Sequence, residues 1–243
     1  MNTMGGKTSQ ITLTAVFAAV YFILRSFPTF QMIGFSGRFT AGDFIVTAMV
    51  LTVDLSSATL AIIMGTVLAF AINPPIFFGL DFLPALVNVA IAGLILSNHR
   101  RVALGIYVPI LAVFLVSPYS LLFAYGYIPY TWLHLVALII LLSPIIPRVP
   151  NWLNRRGLHQ LVAIAILSFV GTMAQHLTGG LLYELAVGFV GGISASSFAQ
   201  IWRVIFWVYP IERTILVALS TIVATGLFRA IRRLIPRSQG NAA

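Results

Sequence analysis

The sequence predicts an all-α fold, a polytopic transmembrane helical bundle. Three observations carry that expectation: an apolar composition, a series of apolar runs near membrane-spanning length, and an unequal split of positive charge between the segments that join them. Of 243 residues, 60% are hydrophobic and 8% are charged, and the mean hydropathy is +1.02. A soluble domain carries about 25% charged residues. This chain has too few to cover a water-facing surface, so lipid is expected around most of it. No composition shift divides the chain, and residues 1–243 are read as one integral membrane domain.

A spanning helix needs about 20 mostly apolar residues. The runs that qualify in whole or part are residues 11–27, 43–53, 57–72, 81–98, 102–118, 129–147, 160–178 and 204–228, giving about eight helices. The first follows Lys7, and Arg25 and Pro28 come after it instead of a small-residue cleavage site, so it is read as a retained helix. The second is short. At 1.5 Å per residue it covers about 16 Å, too little to cross the hydrocarbon alone. It is expected to be shielded by protein, because unpaired backbone in lipid is costly.

Charge sets the topology. With eight helices and the N-terminus inside, the inner segments hold Lys7, Arg100, Arg101, Arg148, Arg155, Arg156, Arg229, Arg232, Arg233 and Arg237. The outer segments hold Arg25, Arg38, Arg203 and Arg213. That is the direction required by the excess of Lys and Arg on cytoplasmic loops, and it places both termini in the cytoplasm of a multi-pass cell-membrane protein. Asp43, Asp81, Glu184 and Glu212 fall outside, and Asp54 inside. A net charge of +9 would suggest nucleic acid in a soluble domain. Here the cations sit between apolar runs and report orientation, so no nucleic-acid partner is expected. With no cysteine in the chain, disulfides, thiolate metal sites and cysteine nucleophiles are excluded.

The outer connections, residues 28–42, 73–80 and 179–203, are long and rich in Gly, Pro or Ser. Loops of that kind beside rigid spans often carry binding sites. Ionisable groups near a membrane tend to face a cavity or a partner. Asp81 opens the fourth helix and Asn88 lies two turns deeper on the same face. Gln175 and His176 end the seventh helix, and Glu212 and Arg213 follow Tyr209-Pro210 in the last. Together these residues are candidates for one outward pocket, with helix capping for Asp81 and an interfacial ion pair for Glu212 and Arg213 as the plainer alternatives. Asp43 is expected as an N-cap. Arg38 is placed to meet an anion or a lipid phosphate. Phe30, Phe35, Phe77, Phe78, Tyr183, Trp202 and Trp207 fit an interfacial belt or a ring-stacking wall. In the first helix, Ala15 and Ala19 lie four apart, a spacing that lets another helix approach closely. There is no HExxH, no Walker motif and no acid cluster for a metal. No enzyme activity and no cofactor are expected.

In order, these pieces are a first helix with Ala15 and Ala19, the loop FPTFQMIGFSGRFTAGD, the helix segment IIMGTVLAF, then GLDFLPALVNVAIAGLI, FVGTMAQHLTGGLLYE, and a last helix opening YPIERTILVAL. That order resembles the substrate-binding S components of energy-coupling factor (ECF) transporters. It also looks like an uncharacterised archaeal membrane protein family with the same first half. S components have six helices, so 102–118 and 129–147 read as an added pair that preserves parity. The resemblance implies capture of a vitamin or similar small micronutrient from outside. It also implies docking onto a scaffold membrane protein with two ATPase subunits, and release inside as the protein tips. It makes Ala15 and Ala19 the docking residues and the loop from Thr29 to Ala41, with Arg38 and Asp43, the gate. Asn73, Asp81, Asn88, His176, Glu184, Glu212 and Arg213 become substrate-binding candidates by position. The alternatives are an accessory or structural subunit of a membrane complex, and an intramembrane hydrolase using Ser194 or His176.

Overall fold

Lys7–Arg25 forms α1, and its inward face packs against α3 (Leu55–Ala69). Phe17, Ala18 and Tyr21 are buried there. Gly65 permits the approach: a Cβ at that position would lie 2.8 Å from the Ala18 carbonyl oxygen. Small residues at a helix interface allow close backbone contact of this kind. The coordinates are a computed structural model that describes residues 7–34 and 37–234. Phe35, Ser36 and Arg237, and the side chain of Lys7, lie outside the described residues.

The connection after α1 is more ordered than a loop. Strands β1 (Pro28–Gln31) and β2 (Arg38–Thr40) pair antiparallel, so part of its backbone is satisfied by itself. A 3₁₀ turn, Ala41–Phe44, leads into α2 (Val46–Thr52), whose seven residues are all buried. The short second helix is therefore enclosed by protein. Asp43 does not cap it: the N-cap position is Ile45 and carries no side-chain bond. Burial beside Gln175 gives the Asp43 carboxylate a different donor. Asp54 instead caps α3, accepting from Ser57 N at 2.7 Å.

Helix α4 spans Leu83–Leu96 and α5 spans Arg100–Val116. A small hairpin, β3 (Phe123–Ala124) and β4 (Ile128–Pro129), joins α5 to α6 (Trp132–Leu142). The expected helix over 129–147 stops at Leu142. Pro144 disfavours helical backbone in the residue before it, and Ser143 is extended. The chain bends by 62° through a 3₁₀ turn, Ile146–Arg148, into α7 (Val149–Asn154), a short helix that the hydropathy pattern did not separate.

The Gly- and Ser-rich stretch 179–203, expected as a long connection, is mostly helical. Helix α8 (Leu158–Tyr183) runs on through a π-helical segment, Glu184–Val190, and α9 (Ala195–Leu234) begins after a brief turn. Gly179 and Gly180 lie inside α8, where Gly180 meets the Phe114 ring. The turn needs Gly192, whose φ is +71°. Over its 40 residues, α9 is about 60 Å long.

The fold is all-α among the described residues, apart from two small hairpins. Thr8–Arg25, Leu158–Val190 and Ala195–Leu234 are each long and apolar enough to cross a membrane. Trp132–Leu142 with Ile146–Asn154 would make a fourth, bent span. The basic segments converge. Arg229 Nε donates to Gln160 Oε1 at 2.7 Å, Arg232 Nη1 to the Leu153 carbonyl at 3.3 Å, and Arg100 to the Leu142 and Ser143 carbonyls. These bonds tie the end of α9 to α7 and α8, and the start of α5 to the end of α6. Asp43, Asp81 and Glu212 gather around a cavity elsewhere in the bundle.

Candidate functional site

The cavity is built from helix ends and one hairpin. Arg25 ends α1, and Arg38, Phe39 and Thr40 come from β2. Asp43 precedes α2, Asp81 precedes α4, and α8 and α9 supply Gln175 to Tyr183 and Trp202 to Arg213. Its volume is about 110 Å³, below the 300–1,000 Å³ or so of drug-sized pockets but several times the ~15 Å³ that one water needs.

A buried amide chain sets its floor. Asn88 Nδ2 donates to Gln175 Oε1 at 2.8 Å, and Gln175 Nε2 donates to Asp43 Oδ1 at 2.6 Å. Asn88 fits only because α8 has Gly171 opposite it, where a Cβ would fall 2.0 Å from Asn88 Oδ1. The Arg213 and Arg25 guanidiniums both act on the Asp43 carboxylate. Asp81 caps neither α4 nor any other helix. Its two oxygens accept from Ile76 N at 2.9 Å and Phe77 N at 3.0 Å, and so fold the preceding loop against the cavity.

Arg213 is 2% exposed and lines the cavity. Its guanidinium lies over the Phe39 ring, 4.4 Å from the centroid. The ion pair it makes, Nη2 to Glu212 Oε2, is 3.5 Å long. Its Nε and Nη2 have no hydrogen-bond partner among the described residues. A buried donor left unbonded costs roughly 1–3 kcal/mol, and more when charged. This side chain is therefore the most demanding polar group in the wall.

Aromatic rings form the rest. His176 stacks on Tyr209 at 5.2 Å between centroids and on His134 at 5.1 Å, and His176 Nδ1 lies 3.0 Å from His134 Nε2. Tyr209 Oη donates to the Tyr130 carbonyl, and Trp202 Nε1 donates to the Tyr119 carbonyl. Tyr183 Oη donates to the Ile33 carbonyl at 2.6 Å, fastening the β1–β2 connection over the cavity.

Arg38, Asp43, Asp81, His176, Glu212 and Arg213 thus come together around one space. Three candidates do not. Asn73 is exposed in the loop after α3. Asn88 stands one layer behind Gln175. Glu184 is buried off the cavity, where it accepts from the Ser117 hydroxyl, because the π-helical segment turns it toward the end of α5. Ala15 and Ala19 are exposed on α1, while Ala18 is buried. Arg25, Phe39, Tyr209 and His134 escaped the sequence reading. The signal for His134 was present, since an ionisable ring within the apolar helix WLHLVALIILL calls for a partner. Ser194 is an exposed helix cap, bonded to Ser196, Ser197 and the Ser197 amide. Among the described residues no three His, Asp or Glu side chains gather to hold a metal ion.

Comparison with family models, with curated proteins and with solved structures finds no match to this chain.

Proposed function

We propose that this chain is the membrane-embedded capture subunit of an ECF-type importer for a vitamin or similar small micronutrient. The observation that carries the reading is a small cavity holding a buried, under-bonded arginine and covered by a hairpin that Tyr183 latches. Concave sites with a few convergent polar groups and an apolar wall are the usual form of small-molecule binding. The resemblance in segment order supplies the transport role. In this reading the chain is a polytopic bundle of about eight helices in the cell membrane, with the short α2 enclosed and the arginine-rich end and both termini in the cytoplasm. The cavity faces outside. The exposed Ala15 and Ala19 face of α1 meets the scaffold protein, and two ATPase subunits energise release inside.

Native mass spectrometry of the gently extracted protein tests the reading. A tightly held small molecule, together with co-purification of a scaffold and ATPases, is the expected result. An empty protein with no energised uptake removes it. Orientation is checked separately. The chain lacks cysteine, so single cysteines at Asn154 and Ser194 should label from opposite faces of intact cells, Ser194 from outside.

A further inference from the structure

The lining of the cavity has an imbalance of donors and acceptors. Its carboxylates are engaged: Asp81 by two backbone amides, Asp43 by Gln175, and Glu212 by Arg213. Arg213 is not. Two of its three guanidinium nitrogens lack hydrogen bonds among the described residues, at 2% exposure. A solute that completes this wall must bring acceptors, and a buried guanidinium is best completed by a planar oxyanion that takes two parallel N–H bonds. Phe39 covers one guanidinium face, so the ligand must approach in the guanidinium plane or from the opposite face. The other walls are flat rings. His176 and Tyr209 lie 17° from parallel, and Tyr183 and Trp202 meet edge to face at 5.6 Å. Each pair packs on itself, and together they give the cavity an apolar aromatic wall against which a ring can rest. A volume near 110 Å³ leaves room for one ring.

We propose that the cavity takes a small monoanion whose carboxylate sits on a single conjugated ring, with Arg213 holding the carboxylate and the Tyr209–Trp202 wall holding the ring. This inference rests on the capture reading above and names its substrate class.

The test is calorimetric titration of the full chain in detergent with benzoate, benzamide and cyclohexanecarboxylate. Benzoate should bind at least ten-fold more tightly than neutral benzamide and several-fold more tightly than the non-aromatic acid. Arg213→Gln should erase the preference for benzoate over benzamide, and Arg213→Lys should keep part of it. If Arg213→Gln fails to fold, the three probes on the unaltered chain decide. Equal binding of benzoate and benzamide overturns the inference, as does tighter binding of benzylamine or the absence of binding by every probe. Native mass spectrometry on the same preparation separates this from the capture reading. A co-purified neutral or cationic molecule overturns the anion class and leaves capture standing, whereas an empty protein with no energised uptake removes capture itself.

Discussion

Tyr183 and Ile33, 150 positions apart in the chain, are joined by a 2.6 Å hydrogen bond from the tyrosine hydroxyl to the isoleucine carbonyl. The bond fastens the β1–β2 connection to α8 directly beside the cavity. Gly34 follows Ile33 with φ +74°, and a Cβ there would stand 3.1 Å from the same hydroxyl. Tyr183→Phe keeps the ring contacts with Phe198 and Trp202 and removes the latch, worth about 1 kcal/mol. The expected outcome is a several-fold faster release of bound solute and faster amide exchange in β1 and β2, with thermal stability nearly unchanged. Hydrogen exchange with and without solute checks it.

The helical skeleton was legible because long apolar runs of near-spanning length form helices that satisfy their own backbone. All eight expected helices have a counterpart, and α2 is enclosed as its length required. Other features rested on contacts that a linear pattern does not contain. Ser143-Pro144 divides the expected 129–147 helix, and hydropathy is blind to that break. Gly179 and Gly180 suggested a loop, yet both lie in α8, where Gly180 packs closely on Phe114 and Gly179 lines the cavity. At the cavity, charge and position grouped Asp81, His176, Glu212 and Arg213, whereas Asp43 read as an N-cap and gate residue. Arg25 read as a topology signal. The Asn88–Gln175–Asp43 chain spans three elements and exists only in the folded bundle.

Gln175 bonds to Asn88 with its amide oxygen and to Asp43 with its nitrogen. Gln175→Leu preserves bulk and strands both partners, leaving a carboxylate and an amide buried. The expected loss is about 2–6 kcal/mol, from two groups at roughly 1–3 kcal/mol each. Gln175→Glu is expected to be worse, because it sets a second carboxylate against Asp43. Thermal denaturation in detergent should rank the wild type first, Gln175→Leu second and Gln175→Glu last. A Gln175→Leu protein as stable as wild type would show that the network carries no weight.

The two faces of α1 should respond differently to the same change. Ala18 is 3% exposed and its carbonyl faces Gly65, so Ala18→Leu must push α1 away from α3, at about 1–3 kcal/mol for overpacking. Ala15 and Ala19 are exposed. Ala15→Leu and Ala19→Leu should leave the melting temperature and solute binding intact while reducing capture of the scaffold and uptake by ten-fold or more. Pull-down and melting curves on the three variants separate docking from packing. Normal scaffold capture by both exposed variants would remove α1 as the docking face.

Gly179 offers a way to close the site without touching its hydrogen bonds. It lines the cavity, and a Cβ there would meet little beyond Pro84, at 3.9 Å. Gly179→Ala should fit and stabilise α8 by up to about 1 kcal/mol, since alanine is the better helix former. Gly179→Leu places three further carbons in a space of about 110 Å³, which holds little else beside them. Its fold should remain near wild-type stability, because the added volume fills an existing cavity. Solute affinity should fall at least ten-fold, and the co-purifying molecule should disappear from native mass spectra. If Gly179→Leu keeps both its bound molecule and its affinity, the solute lies elsewhere and the cavity is not the capture site.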